Sequence, residues 1–486
     1  MTYSLKHKIL SGFFWQAIDR GGTQGLQFVI TVILARLLQP EMFGIIAIMS
    51  ACIALCHVFM DSGFSTALIQ KKDADELDCN SVFYINLVMA AIIYGILFCC
   101  APLVAAFYKK PEITLYLRVL ALILPLRSFA LVQTALLNKR MLFYLNCRIS
   151  WAAVAISGTT GILMAYKGFG VWALIVQQLI SALATSLLQC FWVRWKPALM
   201  FNWQRAKGLF RFGWKIFCSA LLDTFYRELY TILIGKLFNL KTLSFYQQGR
   251  AIPTQGMMLL NTTMNSVLLP AFSELQNDRQ ALRILAQKTL KITAFLLIPI
   301  LTILLITARP LVLILFSATW EPCIIFLQLS CFIVLLHPFH ALNLQIITAC
   351  GRSDVFLILE IIKKIQVVIV IFITYRYGVL AMVYGMMVTA PISFIENSFY
   401  NGKLIQYPWH QQIRDLLPLL LSGIISGIIG WNITTLCSGN WLKLISGTIA
   451  TSIVYLLITI TCKLLPQELY MILKNKFDIW RNQYVQ

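Results

Sequence analysis

An all-α polytopic membrane protein of about 14 transmembrane helices, built as two pseudo-symmetric six-helix lobes plus a C-terminal helix pair, is the fold class that three observations predict. The chain is 59% hydrophobic and only 12% charged, with a mean hydropathy of +0.77, far from the balance of a soluble globular chain. Apolar runs long enough to cross a bilayer follow one another from end to end. Finally, the polar pattern of the first run returns exactly 200 residues later.

The first run, Ser11 to Gly44, carries Gln16, Asp19, Arg20, Thr23, Gln24, Gln27 and Thr31. On a helix these fall within one arc of roughly 140°, so the span is striped rather than uniformly apolar. Lys6 and Lys8 ahead of it resemble the start of a signal peptide. The run is too long for one, is interrupted by Asp19-Arg20 and lacks a clear small-residue cleavage site, so it is read as a retained first span.

A hydrocarbon core of about 30 Å needs about 20 helical residues. On that ruler the spans cover 12–37, 43–69, 82–107, 113–137, 149–167, 169–193, 209–238, 250–272, 288–308, 311–336 or slightly later, 355–375, 379–401, 414–437 and 441–464. For the tenth, Pro310 and Trp320-Glu321-Pro322 allow a start near 311 or 323, and the later start is preferred. An even number of spans puts both termini on one side, with Lys6/Lys8, Lys71/Lys72, Lys139/Arg140, Arg194 to Arg211, Arg279 to Lys291 and Lys474/Lys476/Arg481. That side holds about 23 Lys and Arg against about 10 on the other, so the positive-inside rule makes it cytoplasmic.

The repeat is read from aligned residues. Asp19-Thr23-Gln27-Thr31 falls on Ser219-Asp223-Arg227-Thr231, and the segment Ile33 to Gln39 falls on Leu233 to Asn239. Phe169 to Leu174 matches Tyr377 to Met382 at an offset of 208, and Leu126 to Phe129 matches Leu336 to Phe339 at 210. The expected organisation is therefore an N-terminal lobe over 1–200, a second lobe over 201–405, and a final pair with a cytoplasmic tail over 406–486. Copies with an even number of spans share one orientation, and the site should lie between two bundles. Outside the repeat, Ser422-Gly423 and Ser426-Gly427 form a small-xxx-small pattern that permits close helix packing.

The net charge of +21 does not indicate nucleic-acid binding, because the cations sit in short segments between apolar runs. The thirteen cysteines lie mostly singly inside apolar runs, with no metal-type CxxC pair, and are read as small core or lipid-facing residues. Neither a metal nor a cofactor is expected. HExxH, GxSxG and Walker A motifs are absent, and no connection is long enough to hold a catalytic domain, so a carrier fits better than an enzyme.

Ionisable residues inside spans are expensive, and each is a functional candidate by default. They are Asp19, Arg20, Asp61, Arg127, Asp223, Arg227, Glu228, His337, His340, Glu360 and Glu396. Each has a plainer reading. Asp223 and Arg227, four apart, suit an internal ion pair as well as a ligand contact. Asp61 can end a helix turn near the interface, Glu360 can be neutralised by Lys363 and Lys364, and a histidine such as His337 or His340 is most often a core group. Tyr226 and Tyr230 flank Arg227 and could stack on sugar. Arginines in a water-filled cavity suit a phosphorylated ligand, whose oxygens match the guanidinium fork. Acidic groups there suit a coupling cation or proton.

Taken together, ILARLLQPEMFGIIAIM (33–49), ALLNKRMLF (135–143), KGFGVWALIVQQL (167–179), Ile232 to Tyr246 and Leu269 to Asp278 resemble the polysaccharide transporter family of the multidrug/oligosaccharidyl-lipid/polysaccharide exporter superfamily. The likeness covers nearly the whole chain, through diffuse patterns, and favours lipopolysaccharide, colanic acid and teichuronic acid exporters. The resemblance implies two six-helix lobes and a final pair in the bacterial inner membrane. It also implies movement of undecaprenyl-pyrophosphate-linked repeat units from the cytoplasmic to the periplasmic leaflet by alternating access, with a polysaccharide polymerase and chain-length regulator as partners. By position it points to Arg20 and Arg227, with Arg127 third, as ligands of the pyrophosphate-sugar head, with Asp19, Asp223 and Gln27 in the same cavity. Asp19, Asp223, Glu228 and Glu396 are the candidates for coupling to protons or sodium, and the acidic residues make the expected cavity mixed in charge. A cation-coupled drug exporter of the same superfamily is the first rival, disfavoured because it normally has twelve spans. A membrane polymerase or ligase is the second, disfavoured because no large outer loop is present.

Overall fold

In the computed structural model, residues 2–465 are described apart from 72, 194 and 277, and they are helical with no strand. Lys72, Arg194, Asn277, Lys474, Lys476 and Arg481, used above for orientation or resemblance, lie outside the described residues, as do the side chains of Lys6 and Lys8. Two compact units are formed, Met1–Gln247 and Gln248–Gln486.

In the first unit the helices are α1 (Thr2–Leu37), α2 (Pro40–Asp61), α3 (Phe64–Gln70), α4 (Glu76–Tyr108), α5 (Ile113–Leu120), α6 (Ile123–Lys139), α7 (Phe143–Tyr166), α8 (Val171–Trp192) and α9 (Trp203–Leu237). The unit boundary falls inside α10 (Leu240–Glu274). The second unit continues with α11 (Arg279–Ile306), α12 (Ala308–Leu315), α13 (Cys323–Leu335), α14 (His337–Ala349), α15 (Ser353–Thr374), α16 (Val379–Ile405), α17 (Trp409–Leu436) and α18 (Asn440–Thr461).

Ten spans among the described residues are long and apolar enough to cross a membrane: α2, α4, α5 with α6, α7, α8, α11, α13 with α14, α16, α17 and α18. The other four expected spans are the helices α1, α9, α10 and α15, of 36, 35, 35 and 22 residues. They have the length, but Asp19-Arg20, Asp223 with Arg227-Glu228, Arg250, and Glu360 with Lys363-Lys364 lower their hydropathy. The tenth span starts at Cys323, the later of the two starts considered, and breaks at Leu336, where Pro338 enters the first turn of α14. Proline is tolerated there because a first-turn N–H has no partner inside the helix.

Local signals set the helix ends. Asp75 caps α4 by accepting from the Asp78 amide at 2.8 Å, and Asp78 returns a bond to the Asp75 amide. The Asp78 amide donating to the Asp75 carboxylate, with Arg205 and Lys71 nearby, holds the Asp75 carboxyl below the usual carboxylate range. Asn202 caps α9 through the Arg205 amide at 3.1 Å, and Asp278 caps α11 through the amides of Gln280 and Ala281.

α9, with which the second sequence copy opens, packs on α2, α3 and α4 and so belongs to the first compact unit. Its seam with α2 depends on small residues. A Cβ on Gly235 of α9 would lie 2.8 Å from Ile48 of α2, and one on Gly63, between α2 and α3, 2.4 Å from the Gly213 oxygen of α9; one on Gly44 of α2 would lie 2.0 Å from the carbonyl oxygen of Leu240, the first residue of α10. The segment before α9 is tied to α4: the Ala198 amide donates to Asn80 at 2.8 Å and the Asn202 amide to Ser81 at 3.0 Å. Buried Trp195 lies edge-on to Phe83, their centroids 5.7 Å apart. Asp78, fully buried, pairs with Lys71 and lies 3.6 Å from Arg205.

Gly44→Val should therefore cost about 1–3 kcal/mol by overpacking, read as a lower melting temperature of the purified protein. Gly25→Ala, where nothing lies within 4 Å, should be neutral; equal melting temperatures for wild type and Gly44→Val would show that the contact of α2 with the start of α10 is slack.

Candidate functional site

Within the first unit the stripe of α1 divides into two faces. Asp19 turns towards α7: it accepts from the Thr23 hydroxyl at 3.1 Å and from the Asn146 amide at 3.2 Å. Arg20 and Gln27, seven residues apart and so on one side of the helix, are exposed. No hydrogen bond engages the Arg20 side chain among the described residues. α1 lies close against α7, where a Cβ on Gly22 would overlap Trp151 and one on Gly158 would overlap Ile30.

On α9, Asp223 and Arg227 are both exposed but do not pair with each other. Arg227 instead donates to its neighbour Glu228 at 3.3 Å, with side-chain exposures of 55% and 19%. Most of the Arg227 guanidinium thus stays accessible. Tyr230 is buried and presents no face to a sugar, whereas Tyr226 is partly buried beside Phe225.

Arg127 sits in a cavity of about 370 Å³ enclosed by the end of α2, α3, α6 and α8. Its polar wall comprises His57, Asp61, Ser65, Thr134, Ser181 and Thr185. Asp61 is already engaged, accepting from the Ser65 hydroxyl at 2.6 Å and the Ser65 amide at 3.2 Å. No hydrogen bond occupies the Arg127 guanidinium among the described residues, so its five donors face a hydroxyl-lined space. The arrangement can hold a phosphate or a polyhydroxylated group.

His57, Ser65, Thr134, Ser181 and Thr185 were not singled out from the sequence. The usable signal is the four-residue ladder, His57-Asp61-Ser65 and Ser181-Thr185, which repeats the spacing of α1. Hydroxyl residues barely lower hydropathy, so these ladders stay hidden inside apolar spans.

In the second unit, Glu396 on α16 accepts from the Gln366 amide of α15, and its other carboxylate oxygen is buried with no hydrogen-bond partner. His340 packs on Phe394, its Nδ1 also buried and without such a partner, and stands edge-on to His337. Glu360 pairs with Lys363, as its sequence context suggests. A deeper network joins Asn343 to Gln412 at 3.0 Å and to Ser398 at 3.1 Å, with Asn401 donating to Asn343.

The family described as "Polysaccharide biosynthesis protein" matches residues 33–325, more than half of the chain. The chain belongs to this family. Among its relatives, the succinoglycan biosynthesis transport protein ExoT of Rhizobium meliloti is 28% identical over 63% of this chain and 62% of its own length. The lipopolysaccharide biosynthesis protein WzxC of Escherichia coli is 24% identical over 86% of each. The chain thus spans just under two thirds of the first relative and most of the second. Among solved structures, the lipid II flippase MurJ superposes with a TM-score of 0.75 at 14% identity, covering 92% of this chain and 98% of that one. An inward-facing multidrug resistance transporter of the MATE family gives 0.61 at 18% identity, over 80% and 99%. At these identities the structures establish a shared fold: this is a multi-pass membrane protein with a MurJ/MATE-like helical architecture.

In a background with the native cysteines replaced, Thr185→Cys should react with a small water-soluble thiol reagent, because Thr185 lines the Arg127 cavity. Ser186→Cys, buried and bonded to the Leu126 carbonyl in the native chain, should stay unmodified. Equal labelling of both would mean that the cavity is not a discrete water-accessible space.

Proposed function

We propose that this protein is a flippase that moves undecaprenyl-pyrophosphate-linked oligosaccharide repeat units from the cytoplasmic to the periplasmic leaflet. The product would feed lipopolysaccharide, capsule or exopolysaccharide synthesis. Membership of the polysaccharide biosynthesis family carries this reading. The accessible guanidinium groups of Arg20, Arg127 and Arg227 support it, since paired donors on a permanently charged fork suit pyrophosphate oxygens.

In this mechanism Arg20 and Arg227 take the pyrophosphate, Gln27 and the hydroxyl wall around Arg127 take sugar hydroxyls, and the prenyl chain stays in lipid. Asp19, held by Asn146 and Thr23, orients the turn that carries Arg20. Glu228 orients Arg227. Asp223 and Glu396 are the acidic groups whose titration or cation binding would couple the cycle to protons or sodium. The moving bodies are the repeat lobes 1–200 and 201–405, with the pair 406–486 alongside, in the inner membrane with both termini cytoplasmic. A polymerase and a chain-length regulator would act on the delivered units.

A drug exporter shares the fold, so the test must separate the two. In cells lacking the protein, lipid-linked oligosaccharide should accumulate in the cytoplasmic leaflet and be cleared by wild type. Arg20→Ala/Arg227→Ala should slow clearance by roughly tenfold or more at unchanged expression. Normal periplasmic delivery without the protein, together with a loss of drug resistance, would replace this reading with the exporter.

A further inference from the structure

The second unit contains a pocket that the transport reading does not use. It opens where α11 and α17 begin and α18 ends, with a volume of about 420 Å³. Among the described residues, Lys288, Lys291, Arg414 and Lys463 line it together with one carboxylate, Asp415. Asp415 is occupied on both oxygens: Lys291 approaches one at 3.0 Å and the Tyr407 hydroxyl donates to the other at 2.8 Å. That carboxylate is therefore committed to Lys291, while Arg414 and Lys463 remain exposed beside it.

The remainder of the wall is apolar, formed by Ile284, Pro418, Leu419, Leu464 and Leu465. Beyond it, α17 presents Leu417, Leu421, Ile424 and Ile428 outward at helical spacing, as α18 presents Ile453, Leu457 and Ile460. Lys463 is fixed by the way α18 stops. It takes a left-handed conformation at φ 54°, its amide bonds the Ile460 carbonyl, and the Leu464 amide returns to Thr459 at 2.9 Å. A lysine in this glycine-like position is costly, and the helix end holds it there. Leu464 packs against the core of the unit, so the backbone of the pocket rim is anchored.

We propose that this pocket binds the phosphodiester headgroup of an anionic glycerophospholipid. The phosphate lies between Arg414 and Lys463, and the acyl chains run along the apolar outer faces of α17 and α18. Cation-rich pockets between transmembrane helices at the membrane boundary recognise such headgroups because desolvated phosphate is matched by several fixed positive charges. The half-apolar wall selects an amphiphile over a free anion. This site is separate from Arg20, Arg127 and Arg227, and its occupancy does not depend on the transported substrate.

Native mass spectrometry of the full-length protein in detergent tests the assignment, with phosphatidylglycerol, phosphatidylethanolamine, a polyprenyl phosphate and inorganic phosphate as probes. Phosphatidylglycerol should bind roughly tenfold more tightly than phosphatidylethanolamine. Arg414→Ala/Lys463→Ala should abolish that preference, Arg414→Lys/Lys463→Arg should restore it, and Lys443→Ala, at the far end of α18, should leave it intact. Lys463→Gln alone serves as the milder variant, and melting temperatures report folding. A preference retained in the double variant would overturn the site. Tighter binding of the polyprenyl phosphate, or displacement of the lipid by inorganic phosphate at equal concentration, would overturn the phospholipid assignment.

Discussion

Hydrocarbon offers no hydrogen bonds, and the structure is organised by that deficit. Backbone groups must be satisfied within each segment, which is why the described chain is helical. Side-chain polarity must then be turned towards protein or water. In the second unit Asn343, Ser398, Asn401 and Gln412, all nearly or fully buried, satisfy much of one another's capacity across α14, α16 and α17. Such networks specify a single packing because each member left alone would be expensive. In the first unit, buried Asp78 is offset by Lys71 and Arg205, and this cluster fixes α3, the cap of α4 and the beginning of α9 at one point.

The same deficit separates charges committed to protein partners from charges left open. Asp19, Asp61 and Asp415 all have protein partners, so their charges serve local geometry. Arg20, Arg127, Arg227 and Arg414 are exposed and keep much of their donor capacity uncommitted. An acidic residue next to an arginine therefore does not make a mixed site by itself. What counts is whether the carboxylate is already committed, as Glu228 is to Arg227. Glu396 differs, with one oxygen bonded by Gln366 and the other buried without a hydrogen bond.

Close approach of helices supplies the second layer of order. Without a hydrophobic drive inside a bilayer, helices associate through packing, and packing is tightest where side chains are smallest. Gly63, Gly213 and Gly235 bring α9 against α2 and α3, Gly44 brings α2 against the start of α10, and Gly423, Gly427 and Gly430 bring α17 against α11 and α18. The small-xxx-small pattern of the final helix pair is therefore satisfied inside the second unit.

The sequence by itself determined the class, most of the spans and the identity of the scarce intramembrane charges. These follow from composition and helical period, which depend only on local order along the chain. Ten spans pass on hydropathy alone, α1 and α9 were legible as striped helices through the spacing of their polar residues, and α10 and α15 through the length of their apolar runs. Tertiary structure decided which charge meets which. Asp223 and Arg227 have ideal spacing for an ion pair, yet Arg227 bonds Glu228, since a pair at that spacing contributes only a few tenths of a kcal/mol and does not fix which carboxylate an exposed arginine meets. The Arg127 cavity joins ladders from α2, α6 and α8 that are distant in sequence. Arg414 and Lys463 likewise meet only because α17 and α18 pack on α11. Such convergence depends on helix rotation and crossing, which no periodicity within a single span records.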